Sequence, residues 1–278
     1  SLMYGRWNGT AWSLEVVDAM GFNTGGVIDP FVSMQVEANG TPHIVYVREG
    51  TVMYATKSGA TWLRERVDAT SPALTSNFSS STEALTAPSL ALSGSTVGVV
   101  YQTGSSGSVS PYRVVIALRT GANTWTRNVV TASVPTSSSD VYLYGELAVD
   151  GSGRWLVPTY DYSASPSPNQ LVAWTSAAGR SAAVLPPLTA RGESVIVGGN
   201  RLLIRTAAGL FDVALASTFS ASTVATSSVE LNGTGVGAIA WSAAQSRPVL
   251  LHAHGSALEL VTSNAAGFWA YTQLGSTA

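Results

Sequence analysis

The chain has 278 residues, 45% of them hydrophobic and 11% charged, with a formal net charge of -2. That balance suits a large packed core under a Ser/Thr-rich surface and excludes a disordered chain. The near-neutral charge, without any run of like charges, gives no attraction for nucleic acid or anionic lipid. No stretch approaches the roughly 18 apolar residues of a membrane span. With no cysteine there is no disulfide, thiolate metal site or cysteine nucleophile.

Short alternating apolar runs separated by turn residues fill the chain, and no helix-period segment competes with them. Leu2-Met3-Tyr4 and Trp12-Ser13-Leu14-Glu15-Val16-Val17 read as two strands, the last half of a larger unit. A whole unit covers 31–68. Ser33 to Glu37 meets an Asn39-Gly40 turn and continues as Pro42 to Tyr46, and then come Val52 to Ala55, a turn at Gly59, and Trp62 to Val67. The same order of four strands returns at 89–130, 143–185, 194–225 and 236–274, with a weak fourth strand in the third full copy. Trp12, Trp62 and Trp125 mark the last strand at spacings of 50 and 63 residues. Such periods are those of propeller blades.

A four-stranded unit cannot bury both faces alone, and radial stacking solves this while limiting exposed edges. A β-sandwich would not repeat one strand order with one terminal Trp. The expected fold is therefore all-β, a β-propeller of four-stranded blades forming a single domain over 1–278. About six blade positions are expected, the N-terminal one incomplete, with five or seven as alternatives. The half unit at the start fits either an incomplete first blade or a module of a longer propeller.

The hairpin ending in Trp resembles the turn repeat of sialidase-type propellers, Ser-x-Asp-x-Gly-x-x-Trp. The best local match is Thr262-Ser263-Asn264-Ala265-Ala266-Gly267-Phe268-Trp269, with Gly267 displaced by one position. Gly9-Thr10-Ala11-Trp12 and Gly59-Ala60-Thr61-Trp62 keep Gly-x-x-Trp, with Trp7 and Lys57 in the Asp position. The resemblance implies a fold, with the Trp packed between blades. Sialidase activity would further imply three arginines on a carboxylate, a Tyr-Glu pair and an Asp acid/base. The chain has no Arg-Ile-Pro segment, and Arg113, Arg191 and Arg205 match no motif for those roles.

Connections from strand two to three, and from strand four to the next unit, emerge at one end of the units. There the segments 19–30, 69–87, 103–111, 131–140 and 161–169 are long, whereas the opposite turns have only a few residues. Long loops on a rigid scaffold carry recognition. Tyr142, Tyr144 and Glu146 recur every second residue at the start of an inner strand and so would share one side. Tyr160, Asp161 and Tyr162 sit on the neighbouring long loop. Phenol rings stack on sugar faces and carboxylates accept hydroxyl hydrogen bonds, while inter-blade packing and a turn-forming Asp are the structural alternatives. Arg113 could hold an acidic sugar.

Asp29, Glu83, Asp140, Glu146 and Glu193 fall near the entries of successive inner strands. If they gather, Ca²⁺ is the cofactor such hard ligands would take, or two of them could flank a glycosidic bond. His252 and His254 alternate on one strand without an evident third metal ligand, and His43 reads as a hydrogen-bonding residue between blades. The Asn-Gly-Thr triplets at Asn8, Asn39 and Asn232 read first as turns. A single Lys beside 13 Arg, with the Ser/Thr surface, suggests a GC-rich bacterial gene and a product that is secreted, periplasmic or on the cell surface. The expected function is recognition of a glycan or protein surface through the long loops. The alternatives are a glycoside hydrolase or lyase, or a structural repeat module of a larger surface protein.

Overall fold

The structure is a computed structural model. It describes residues 1–19, 32–48, 51–68, 88–103, 113–130, 141–143, 146–150, 152–161, 169–177, 179–184, 192–197, 201–206, 209–215, 221–227, 239–242, 247–254, 257–263 and 269–276. All the regular structure among them is strand, arranged in six antiparallel sheets.

The first sheet is a hairpin of β1 (Leu2–Trp7) and β2 (Trp12–Asp18). The second runs in order through β3 (Val32–Val36), β4 (Pro42–Arg48), β5 (Thr51–Ser58) and β6 (Thr61–Arg66). The third does the same with β7 (Ser89–Ser93), β8 (Thr96–Thr103), β9 (Arg113–Gly121) and β10 (Thr124–Val129). In the fourth, β11 (Val141–Leu143) and β12 (Ala148–Val149) both pair with β13 (Trp155–Asp161), followed by β14 (Asn169–Thr175) and β15 (Gly179–Val184). The weak fourth strand of the sequence thus forms. The fifth sheet comprises β16 (Gly192–Val197), β17 (Arg201–Thr206), β18 (Gly209–Leu215) and β19 (Ala221–Ser227). The sixth comprises β20 (Ile239–Ser242), β21 (Arg247–His254), β22 (Ala257–Ser263) and β23 (Trp269–Ser276).

Glycine and asparagine make the tight reversals possible. Gly9, Gly40 and Gly59 adopt φ of 99°, 87° and 59°, and Asn123 adopts 56°, left-handed backbone that a residue with an ordinary side chain rarely enters. Asn8 Oδ1 accepts the N–H groups of Thr10 and Ala11 at 2.9 and 2.8 Å, and Asn39 Oδ1 accepts that of Thr41 at 2.8 Å. Asn8 and Asn39 are turn residues, as their Asn-Gly pairs suggest; Asn232 lies outside the described residues.

The chain divides into two compact units, Ser1–Ser110 with Val115–Asn128, and Pro111–Val114 with Val129–Ala278. In the first unit the sheets pack face on face. Val17, Ile44, Tyr46, Ala55 and Trp62 fill the layer between the first and second sheets, and Val45, Tyr54, Leu90, Val99 and Tyr101 belong to the layer between the second and third. Removing each of the aliphatic side chains Val17, Ile44, Val45, Leu90 and Val99 from water contributes roughly 1.5–3 kcal/mol. First strands of successive sheets adjoin, β3 with β7 here, and β12 with β16 and β16 with β20 in the second unit. There Leu143, Leu147, Leu156 and Val157 are buried.

Candidate functional site

In each antiparallel meander, the links from strand two to three and from strand four onward leave by one end, and the tight turns close the other. The long segments foreseen at the first end fall almost wholly on 20–31, 69–87, 104–112, 131–140 and 162–168, outside the described residues. The strands they join are described, and the fourth sheet places the most candidates at that end.

There β11 opens directly after 131–140, and β13 closes directly before 162–168. Their register sets Tyr142 opposite Tyr160 and Val141 opposite Asp161, while Asn169 of β14 faces Tyr160 from the other side. Tyr142, Tyr160 and Asn169 therefore occupy one row across three strands, with Asp161 next to it. Tyr144 and Tyr162 lie outside the described residues.

Among the described residues, Leu143 pairs with Thr159 and Ala148 with Leu156 of β13, and Glu146 and Leu147 between them belong to no strand. Leu143 and Leu147 are buried, and Glu146 is exposed. Arg113 opens β9 in the third sheet, is exposed, and has no place in this row.

Other polar clusters in the first unit serve a different purpose. Glu15 accepts hydrogen bonds from Lys57 Nζ at 2.6 Å and Trp62 Nε1 at 3.1 Å. One sheet further on, Glu65 accepts from Arg119 at 2.6 and 3.0 Å and from Trp125 Nε1 at 3.2 Å. Buried Asp18 accepts from Tyr46 at 2.7 Å and Arg48 at 3.2 Å, and Arg64 Nε approaches it to 4.0 Å. Buried Asp68 accepts from Tyr101 at 2.9 Å and from Arg127. Tyr4 meets Trp62 edge-on, and Tyr54 meets Trp125 the same way, both with centroids 5.3 Å apart. The same interlock is thus built twice, between the first and second sheets and again between the second and third.

Its signature, Trp-x-x-Glu-x-Val-Asp, stands at 12–18 and again at 62–68, and is reduced to Trp-x-x-Asn-x-Val-Thr at 125–131. Reading the repeat by its Trp alone passed over the acids. The constant offset of 50 residues is the signal that would have found them. Trp62 and Trp125 pack between sheets as expected, whereas Trp12 is 65% exposed and does not.

The electrostatics agree with a structural role. Burial raises the Glu65 carboxyl, but hydrogen bonds from Arg119, the Asn123 backbone and Trp125, with the Arg119 charge, outweigh it and hold the group below its ordinary value. Burial, with Asp18 and Asp68 respectively, pushes the Tyr46 and Tyr101 phenols far upward. Glu65 is thus favoured in its charged form and the two phenols in their neutral form.

His43 differs from its expected role. Nε2 lies 2.9 Å from Glu37 Oε1 and Nδ1 lies 2.6 Å from Tyr54 Oη, partners in its own sheet rather than in a neighbouring blade. Burial lowers its pKa despite Glu37. Glu193 and Arg205 face each other in register across β16 and β17, and His252 faces Glu259 across β21 and β22. His254 lies opposite Ala257. Asp29, Glu83, Asp140 and Arg191 lie outside the described residues. Among the described residues no group of three His, Asp or Glu could hold a metal ion, and no helix is long and apolar enough to cross a membrane.

No protein-family model and no curated protein sequence matches the chain. Solved structures do. The GH93 alpha-L-arabinofuranosidase of Fusarium graminearum, in complex with arabinobiose, superposes with a TM-score of 0.60 at 13% identity, over 90% of this chain and 82% of that one. The alpha-L-arabinanase of Penicillium chrysogenum, complexed with arabinobiose, gives 0.53 at 10% identity over 88% and 80%. Trypanosoma rangeli sialidase, in complex with sialic acid, gives 0.50 at 8% identity over 84% and 46%. The chain spans about half the length of that sialidase. At these identities the likeness shows the fold alone: an all-β, sialidase-like β-propeller built of four-stranded antiparallel sheets.

Proposed function

We propose that the chain is a carbohydrate-active propeller that hydrolyses a glycosidic bond at the long-link end of its fourth sheet. The observation carrying this reading is that three propellers resembling the chain are named for glycoside chemistry, two of them bound to arabinobiose and one to sialic acid. In support, that end of the sheet combines Tyr142 and Tyr160 in one register row, Asp161 beside them, and exposed Glu146 between β11 and β12. Tyrosine rings suit stacking on a sugar. Glu146 and Asp161 would act as the pair of carboxyl groups, one protonating the leaving oxygen while the other acts as base or nucleophile. Asp18, Glu65 and Asp68 are kept from this work by their bonds to arginine and tyrosine across the sheets. Arg113 would favour an acidic sugar if the third sheet supplies it to the same ligand.

A panel of chromogenic glycosides that includes α-L-arabinofuranosides and sialosides tests the proposal. Turnover is expected on at least one, with kcat falling about 100-fold or more in Glu146→Gln or Asp161→Asn while the fold persists. Inactivity across the panel would sink it. Glycan-array binding by the inactive protein, lost in Tyr142→Ala and Tyr160→Ala, would then make it a recognition propeller of an extracytoplasmic surface.

A further inference from the structure

Tyr54 stands at the centre of the contact between the second and third sheets. Its ring meets Trp125 edge-on, has the Arg119 guanidinium 5.6 Å from its centroid, and is stacked on His43 at 5.9 Å with 29° between the planes. Arg119 and Trp125 both donate to Glu65, so His43 reaches the interlock through a single phenol. Among the described residues, Glu37 and Tyr54 bond the two nitrogens of the buried imidazole, and Arg119 and Glu65 act on that phenol from beyond it. β7 carries no titratable side chain, and Tyr101 of β8 and Arg127 of β10 are engaged by Asp68.

These partners fix where the protons sit. A carboxylate only accepts, so Nε2 carries a hydrogen for Glu37 Oε1, and neutral His43 must accept the Tyr54 hydroxyl hydrogen at Nδ1. Asn39 Nδ2 donates to the second oxygen of Glu37 at 2.9 Å and holds that carboxylate in place. A proton added at Nδ1 has to donate to Tyr54 Oη, and the phenol hydrogen has to turn away. The Thr56 hydroxyl is the other hydrogen-bonding partner of Tyr54, and it can receive because its own hydrogen goes to the Pro42 carbonyl at 2.9 Å. Both states therefore leave no ring nitrogen and no hydroxyl hydrogen unbonded. What changes is charge, since an imidazolium then shares one phenol ring with the Arg119 guanidinium.

We propose that His43 is a proton switch on the interlock between the second and third sheets. With Nδ1 bare, the Tyr54 hydroxyl points to His43 and Arg119 stays closed on Glu65. With Nδ1 protonated, the hydroxyl turns to Thr56, and repulsion between imidazolium and guanidinium loosens Arg119 from Glu65 and, with it, the Trp125 indole. Burial opposes the charged imidazole most, Glu37 favours it, and the Arg119 charge opposes it, which sets the switch below the ordinary histidine value of 6.5. The tight form is thus complete above that value and gives way as the pH falls below it. The matching interlock between the first and second sheets joins Tyr4, Trp62, Lys57 and Glu15, and among the described residues no histidine touches it.

The test titrates the full chain by NMR from about pH 8 to about pH 5, reading the His43 ring nitrogens and the exchange protection factors of the Trp125 and Trp62 indole N–H groups. At the upper end Nε2 is expected to carry the proton and Nδ1 to be bare. As His43 titrates, Trp125 protection should fall about ten-fold while Trp62, which donates to Glu15, keeps its own. In His43→Gln the fall should vanish. A neutral His43 protonated at Nδ1, Trp125 protection that ignores the His43 titration, an equal fall at Trp62, or a fall that persists in His43→Gln overturns the proposal. Should His43→Gln not fold, Glu37→Gln must lower the His43 pKa and carry the Trp125 transition down with it. A transition that stays at its original pH overturns the proposal equally.

Discussion

The two compact units use one strand plan and opposite chemistry on it. In the first, the first two sheets end in segments whose Glu and Asp reach into the next sheet, to Lys57 and Trp62, to Arg119 and Trp125, to Tyr46 and Tyr101. In the second, the fourth strands Gly179–Val184, Ala221–Ser227 and Trp269–Ser276 contain no Asp or Glu at all. Asp150 there binds Arg154 at 2.5 Å, but within the turn between β12 and β13. The acids disappear at Asn128 and Thr131, which take the Glu and Asp positions of the motif where the first unit ends in the chain. Apolar layers stack sheets without choosing between them, since one Val-rich face resembles another. A buried carboxylate does choose: with the wrong neighbour, Glu65 would lie unpaired at a cost of several kcal/mol.

That contrast can be broken most directly at its centre. Glu65→Ala leaves Arg119 and the Trp125 indole without their shared acceptor and should destabilise the first unit by about 3–5 kcal/mol. Thr272→Ala, at the matching position of β23, should stay within about 0.5 kcal/mol. Native-state hydrogen exchange of β5 and β8 against β17 and β22 reads both, and equal effects would erase the distinction.

Acid should separate the units less sharply. His43 is held below the ordinary histidine value of 6.5 by burial, so its contribution is complete above 6.5 and shrinks as the pH falls below, where the unfolded chain takes up the proton first. Glu65 is held below 4.5 by Arg119 against the effect of burial; its contribution is complete above 4.5 and is lost as the pH falls through the lower folded value. Exchange in β4 and β5 should therefore accelerate on acidification before exchange in β17 and β18 does. Simultaneous loss would mean that the interlock adds no pH dependence of its own.

The smallest effect is expected where the motif lacks its surroundings. Trp12 stands where Trp62 stands in the next copy, yet it is 65% exposed and tilted against Trp7 at 5.7 Å. Trp12→Ala should cost less than about 1 kcal/mol, against about 3–5 for Trp62→Ala, in thermal or denaturant unfolding. A larger loss at Trp12 would mean that its face is covered in solution.

Much of this could be read from residue order. Alternating apolar positions, Asn-Gly and Gly turns and the returning Trp specify antiparallel four-strand meanders, because strand pairing and tight reversal are local properties of the chain. The direction of the long links also followed, since it depends only on counting strands. That Glu146 belongs to no strand was not legible: Tyr142, Tyr144 and Glu146 alternate as a continuous strand would, and only the pairing with β13, at Leu143 and again at Ala148, leaves Glu146 out. Nor was the partner of His43, which lies eleven residues away across a strand pair in its own sheet. The acids of the Trp-x-x-Glu-x-Val-Asp motif were visible as letters, but their meaning depends on cations and indoles 30 to 60 residues distant. Sequence by itself determined the strands and their order, through period and turn chemistry. The tertiary structure alone decided which charges meet, because a carboxylate's role is set by what the fold brings within hydrogen-bonding reach of it.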